Sequence, residues 1–131
     1  MSDREIVQAE GAPEAAGPYS HGTVHDGVLY CSGQVPIDPG TGKLVEDGEA
    51  AQTTRCLENL EIVCAAAGTT LARALMVSVF TTDLSKGADI NEAYDAFMTA
   101  LDVPPPARAM VGVSALPLGA DVEIAAVVAA Q

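Results

Sequence analysis

Val122-Glu123-Ile124-Ala125-Ala126-Val127-Val128 decides the fold. Its side chains alternate, as they do on a strand whose neighbours point to opposite faces of a sheet. Val122, Ile124, Ala126 and Val128 make one wholly apolar face, while Asp121, Glu123, Ala125 and Val127 make the other. A second run precedes it, Ala107-Arg108-Ala109-Met110-Val111-Gly112-Val113, linked through Leu116-Pro117-Leu118-Gly119-Ala120. Two strands, roughly 107–114 and 121–129, are therefore expected. Pairing the greasy side of the last strand with Ala109, Val111 and Val113 puts Arg108, Met110 and Gly112 on the side of Glu123. That second face carries Arg108 and Glu123 among mostly small and apolar neighbours, which suits cover by another subunit better than solvent. A simple hairpin centred on Pro117-Leu118 sets Glu123 opposite Gly112 and leaves Arg108 about 13 Å along the ladder. That is too far for one small ligand unless the ladder differs or two subunits contribute.

Working outward, Leu75 to Thr82 is a β-branched apolar run that reads as a buried strand. A helix follows, with Ile90, Tyr94, Phe97 and Leu101 on one face, and the prolines at 104–106 end it. Asp83 to Gly87 reads as a loop. Upstream, Thr53, Leu57, Leu60, Cys64 and Ala67 form a helical stripe that starts near Glu49 and stops at Gly68. Asp26-Gly27 between Thr23-Val24-His25 and Val28-Leu29-Tyr30-Cys31-Ser32 is a strong hairpin signal. Asp38-Pro39-Gly40-Thr41-Gly42 is a turn, and residues 5–9 make a short first strand. The order ββ(β)–α–β–α–ββ predicts one α/β (α+β) domain over residues 1–131, a mixed sheet with two helices on one face.

Bulk composition narrows the function. Six Lys and Arg stand against eighteen Asp and Glu, a net charge of −12. With no basic run, neither nucleic acid nor an anionic membrane is an expected partner. No span long enough to cross a membrane and no signal peptide is visible, and Cys31, Cys56 and Cys64 form no paired motif, which fits a reducing cytoplasm. His21 and His25 lack companions at metal-ligand spacing, so a loop or surface role is expected and no metal. Gly40-Thr41-Gly42-Lys43 lacks the spacing of a phosphate loop.

Arg108 is therefore conspicuous. A guanidinium heading an apolar run is either a rim charge or a fork for a carboxylate, which it grips with two parallel hydrogen bonds. Glu123 is either a surface carboxylate, even one paired with Arg108, or a group that works on water.

Gly17-Pro18-Tyr19-Ser20, Ser32-Gly33-Gln34-Val35-Pro36, Asp89-Ile90-Asn91-Glu92-Ala93-Tyr94-Asp95-Ala96-Phe97, Pro106-Ala107-Arg108 and Val122-Glu123-Ile124 occur in this order. Together they resemble the reactive intermediate deaminase family (RidA, also called YjgF-like or L-PSP endoribonuclease-like) over nearly the whole chain. The resemblance implies a homotrimer of chorismate-mutase-like (YjgF-like) fold with ligand clefts between subunits. It implies hydrolysis of 2-aminoacrylate and related enamines or imines to 2-keto acids and ammonia, without metal or cofactor. Position by position, Arg108 matches the family arginine that pairs with the substrate carboxylate, and Glu123 the acid that activates water. Tyr19 matches the pocket tyrosine, and Ser32 and Gly33 the polar Ser-Gly. Asn91 matches the asparagine at the start of the helix, which either contacts ligand or caps and braces the helix. Met110 stands where the deaminases carry Cys, and so reshapes the pocket. A small carboxylate is thus the expected partner, with deamination as the expected activity and 2-keto acid binding without turnover as the alternative. Endoribonuclease activity, ascribed to some relatives, is opposed by the charge.

Overall fold

Asp26 and Gly27 turn the chain as their sequence predicts. Both have positive φ, 50° and 75°, and the segments on either side pair as an antiparallel hairpin. The computed structural model describes residues 3–131. In order, its elements are β1 (Glu5–Val7), β2 (Gly22–His25), β3 (Val28–Gln34), β4 (Ile37–Asp38), β5 (Lys43–Leu44), α1 (Glu49–Ala66), β6 (Ala74–Thr81), α2 (Gly87–Ala100), β7 (Ala107–Gly112) and β8 (Val122–Ala129). Six strands form one sheet in the order β1-β2-β3-β8-β6-β7, and β4 and β5 pair separately around the Asp38–Gly42 turn. All neighbours in the large sheet are antiparallel except β6 and β7. A parallel pair needs a crossover, and α2 provides it.

Each helix buries the stripe that its spacing requires. On α1, Thr53, Cys56, Leu57, Leu60, Val63 and Cys64 are completely buried. The helix ends where Gly68 takes a φ of 77°. On α2, Ile90, Tyr94 and Met98 are buried, with Phe97 and Leu101 packed at the margin. The expected loop between β6 and α2 contains a 3-10 turn, Leu84–Lys86, in which the Ser85 amide and hydroxyl donate to the Asp83 carboxylate. Beneath the helices lie Leu29, Val77, Val79, Val122, Ile124 and Val128, all fully buried. Each such side chain stabilises the fold by roughly 1.5–3 kcal/mol, so truncating Leu60 to Ala costs about 2–5 kcal/mol. The domain is α+β, with a mixed sheet and two helices on one face, as its element order predicts.

The expected hairpin between the last two strands does not form. β6 lies between them, paired parallel to β7 and antiparallel to β8. Register therefore runs through β6. Arg108 aligns with Val77, Met110 with Val79 and Gly112 with Thr81, so all three belong to the helix face together with Val122, Ile124, Ala126 and Val128. Ala109 and Val111 instead align with Ser78 and Phe80, and Phe80 aligns with Glu123. The expectation that Arg108 and Glu123 share a face is thus reversed. Alternation gives the faces within each strand, but the match between two strands depends on the one that separates them. The uncovered face carries Tyr30, Ser78, Phe80, Val111, Glu123, Ala125 and Val127, and Tyr30 and Val111 are 49% and 43% exposed.

Candidate active site

Glu123 rises from the uncovered face of β8 beside an irregularity in β3. Cys31 pairs with Ala126, but the next aligned pair is Gln34 with Ile124. Ser32 and Gly33 therefore share the space opposite Ala125, a β-bulge of the kind that re-aims backbone at sites. A Cβ on Gly33 would stand 2.9 Å from Cδ and 3.0 Å from Oε1 of Glu123. The carboxylate thus lies directly against the Gly33 backbone, which leaves no room for a side chain. The Ser32 amide donates to the His21 carbonyl at 2.9 Å, and its hydroxyl donates to the Ser20 carbonyl at 2.6 Å. The hydroxyl oxygen keeps its accepting capacity.

The neighbouring loop is braced by His21, which is buried rather than at the surface. Its Nδ1 accepts from the Ala9 amide at 2.9 Å, so Nε2 carries the hydrogen and donates to the Pro13 carbonyl at 2.8 Å. Tyr19 projects from this loop, 46% exposed. Its hydroxyl accepts from the Ala16 amide at 3.1 Å and retains its own proton to donate. Tyr19, Ser32, Gly33 and Glu123 together line a cavity of roughly 240 Å³, closed on one side by Pro117. Glu123 has no hydrogen-bond or ion-pair partner among the described residues, and burial raises its pKa above the ordinary carboxylate value.

Two contributors lie outside the sequence expectation. Pro117 was assigned only to a connection. Gln52, a polar residue inside the α1 stripe, fixes the start of β8. Its Oε1 accepts from the amides of Asp121 and Val122 at 2.9 and 3.2 Å, and its Nε2 donates to the Val45 carbonyl at 3.0 Å and to Asp121 Oδ2 at 3.2 Å. The signal available was a glutamine on the helix face that otherwise carries Cys56 and Val63.

Arg108 and Met110 stand elsewhere. Arg108 leaves the outer strand β7 on the helix side, exposed, with Cζ 4.8 Å from the centre of the Tyr94 ring. Met110 is half-buried and packs against the core, its sulfur close to Gly87 at the start of α2. Asn91 lies one turn before Tyr94. It does not cap the helix, which begins at Gly87, and its exposed side chain braces nothing by a hydrogen bond among the described residues. Arg108 is level with Ala126, two strands away from β8 and three residues along it from Glu123. Those steps amount to about 10 Å in each direction, with the sheet between the two side chains. One chain therefore holds two separate groups of candidate residues, Tyr19, Ser32, Gly33 and Glu123 on one face and Arg108 with Met110 on the other. Among the described residues no three His, Cys, Asp or Glu side chains are grouped to hold a metal ion.

The family model described as Endoribonuclease L-PSP matches residues 9–130. The chain belongs to this L-PSP/YjgF (RidA) family. Among RidA-family relatives, the RutC family protein y4sK of Sinorhizobium fredii is 44% identical over 124 residues, covering 95% of this chain and 96% of that one. The 2-iminobutanoate/2-iminopropanoate deaminase of Salmonella typhimurium is 38% identical over 123 residues, covering 94% and 95%. Of the solved RidA-family structures, the YjgF gene product of E. coli superposes with a TM-score of 0.92 at 34% identity, over 97% of this chain and 99% of that one. E. coli TdcF with bound serine superposes with a TM-score of 0.91, also at 34% identity, over 95% and 98%. Among the described residues no helix is long and apolar enough to cross a membrane.

Proposed function

We propose that this protein hydrolyses 2-imino acids, and the 2-aminoacrylate-type enamines that tautomerise to them, to 2-keto acids and ammonia. The observation that carries this reading is the unpartnered Glu123 carboxylate held against Gly33 in a small cavity that Tyr19, Ser32 and Pro117 also line. Similarity to two proteins named as 2-iminobutanoate/2-iminopropanoate deaminases, at 38% and 36% identity, supports it. Serine bound to the related TdcF, itself a small carboxylate-bearing molecule, is consistent with the ligand class.

In this reading, the substrate carboxylate is taken by Arg108, which fixes the C=N carbon in place. Glu123 accepts a proton from water as its oxygen adds to that carbon. That proton passes to nitrogen; the adduct's hydroxyl proton follows it as the C=O bond forms and the C–N bond breaks, and ammonia leaves the keto acid. The Tyr19 hydroxyl, the Ser32 hydroxyl oxygen and the Gly33 backbone supply polar contacts for the adduct. Asn91 lines the Arg108 side, and Met110 sets the space for the substrate side chain. No metal or organic cofactor is needed, because the imine carbon is already electrophilic.

Because one chain keeps Arg108 and Glu123 apart, each working site combines Arg108 and Met110 of one subunit with Tyr19, Ser32, Gly33 and Glu123 of the next. A homotrimer in the cytoplasm is the expected assembly. Mixed oligomers test this directly. Arg108→Ala and Glu123→Gln chains are each inactive alone; unfolded and refolded together in equal amounts, they regain about a quarter of wild-type activity, the statistical share of sites with both residues intact. Failure to complement between two folded variants would contradict shared sites. Met110 favours a second reading, in which the cavity binds 2-keto acids without turnover. Release of 2-keto acid from freshly generated imines at the buffer rate, with 2-oxobutanoate still bound, would select it.

A further inference from the structure

Arg108 is one of six basic residues in a chain with eighteen acidic ones, yet it pairs with none of them among the described residues. Nor does it donate a hydrogen bond there, so its five N–H groups are all available. Its described contact is with an aromatic face, the ring of Tyr94 at 4.8 Å. An exposed arginine on an outer strand has many rotamers, and immobilising them opposes ligand binding. A ring face attracts the cation without using its donors, which lie at the rim of the guanidinium.

The ring is itself immobile. Tyr94 is 7% exposed, with Ile90 one turn before it and Met98 one turn after, both buried. Its hydroxyl is buried too and has no hydrogen-bond partner among the described residues. Such a group lowers stability unless something compensates. Burial raises the phenol pKa and the charge of Arg108 opposes the rise. The hydroxyl thus brings no contact within the chain, whereas the ring brings one.

We infer that Tyr94 is a positioning residue, its ring face holding Arg108 ready to take the substrate carboxylate. This rests on the reading of Arg108 as the carboxylate anchor. The ring, rather than the hydroxyl, carries the effect, so Tyr94→Phe restores most of what Tyr94→Leu loses.

The test uses the intact protein, Tyr94→Phe, Tyr94→Leu, Arg108→Ala, and Tyr94→Leu combined with Arg108→Ala. Calorimetry with 2-oxobutanoate is expected to show affinity about 5- to 30-fold weaker in Tyr94→Leu and within about twofold of wild type in Tyr94→Phe. KM for imines rises in parallel while kcat changes less. With Arg108 already replaced, Tyr94→Leu has no further effect on affinity, because its action passes through the guanidinium. Unchanged affinity in Tyr94→Leu, equal loss in Tyr94→Phe, or the same loss with Arg108 absent would each overturn the inference. NMR of the arginine Nε–Hε groups provides a reading independent of activity and of variant folding. Arg108 Hε should be displaced upfield of the other arginines by the ring current in wild type, and coincidence with them would also overturn the inference. If wild type fails to bind 2-oxobutanoate, the anchor reading falls, and the NMR signal alone decides whether Tyr94 orders Arg108.

Discussion

The two groups of candidate residues are built in opposite ways. Glu123 sits mid-sheet, with strands on both sides, a bulge that brings Gly33 against it, and Gln52 holding the amides just before it. Arg108 sits on a strand with a free outer edge and rests on one aromatic ring. In the proposed reaction the first arrangement fixes the acting carboxylate and keeps it partly out of water, and the second presents an exposed cation to the ligand. Rigid placement suits a group that handles protons, where misplacement by 1 Å can cost about 100-fold. Accessible placement suits an anchor.

The sharpest way to break this comparison is Glu123→Gln. Turnover should fall by about 10²- to 10⁴-fold while 2-oxobutanoate affinity stays within a few-fold of wild type, a split seen by pairing rate assays with calorimetry. Arg108→Ala should show the converse, with affinity reduced about 100-fold and little change in thermal stability, since the side chain is exposed. Arg108→Lys should recover little, because it keeps the charge but not the fork. Folded Arg108→Ala with normal affinity would remove the anchor. Gly33→Ala comes next. Its Cβ must push the Glu123 carboxylate aside, so kcat should fall by about 10- to 100-fold with a small stability cost, because the displaced group is a flexible side-chain end.

Smaller effects sharpen the picture further. Burial raises the Glu123 pKa, and in the proposed reaction the ionised form is the one that takes the proton from water. Activity should therefore be lost as pH falls through an inflection above the ordinary carboxylate range. The same shift acts on stability with the opposite preference. The folded protein holds this proton more tightly than the unfolded chain does, so ionised Glu123 costs stability that is absent below the unfolded pKa and grows as pH rises through the folded one. Glu123→Gln should then melt slightly higher than wild type near neutral pH and level with it in acid. The smallest change expected is from Met110→Cys, which widens the space for the substrate side chain and should alter the preference between small and large imines by about tenfold or less.

What the sequence reveals follows the range of the interactions involved. The Asp26-Gly27 turn, the α1 stripe, the stop at Gly68 and the alternation of β8 are all local, and each is present as expected. The placement of β6 between β7 and β8 is not local. No periodicity within residues 107–129 records it, so the face of Arg108 came out reversed although each strand of the six-stranded sheet was expected; the short β4–β5 pair flanking the Asp38–Gly42 turn was not. The bulge at Ser32-Gly33 is similarly silent, because a serine and a glycine near a strand end look like an ordinary finish. Asn91 suggested a cap, but the helix begins four residues earlier, at Gly87. Gln52 was legible in principle as a polar side chain in an apolar stripe, yet the β8 amides it holds lie about seventy residues away in the chain.

The slip between Cys31 and Gln34 bears on how such chemistry can be inherited. One surplus residue on β3 is absorbed between two normal pairs, Cys31 with Ala126 and Gln34 with Ile124. Excising it would let the ladder close with Cys31 and Gln34 still facing inward and every pair beyond them unchanged. A single codon, gained or lost, therefore separates a sheet that carries this hollow from a plain one of identical architecture. On the proposed function, that one residue is enough to remove or restore the Glu123 side of the site without rebuilding the protein around it.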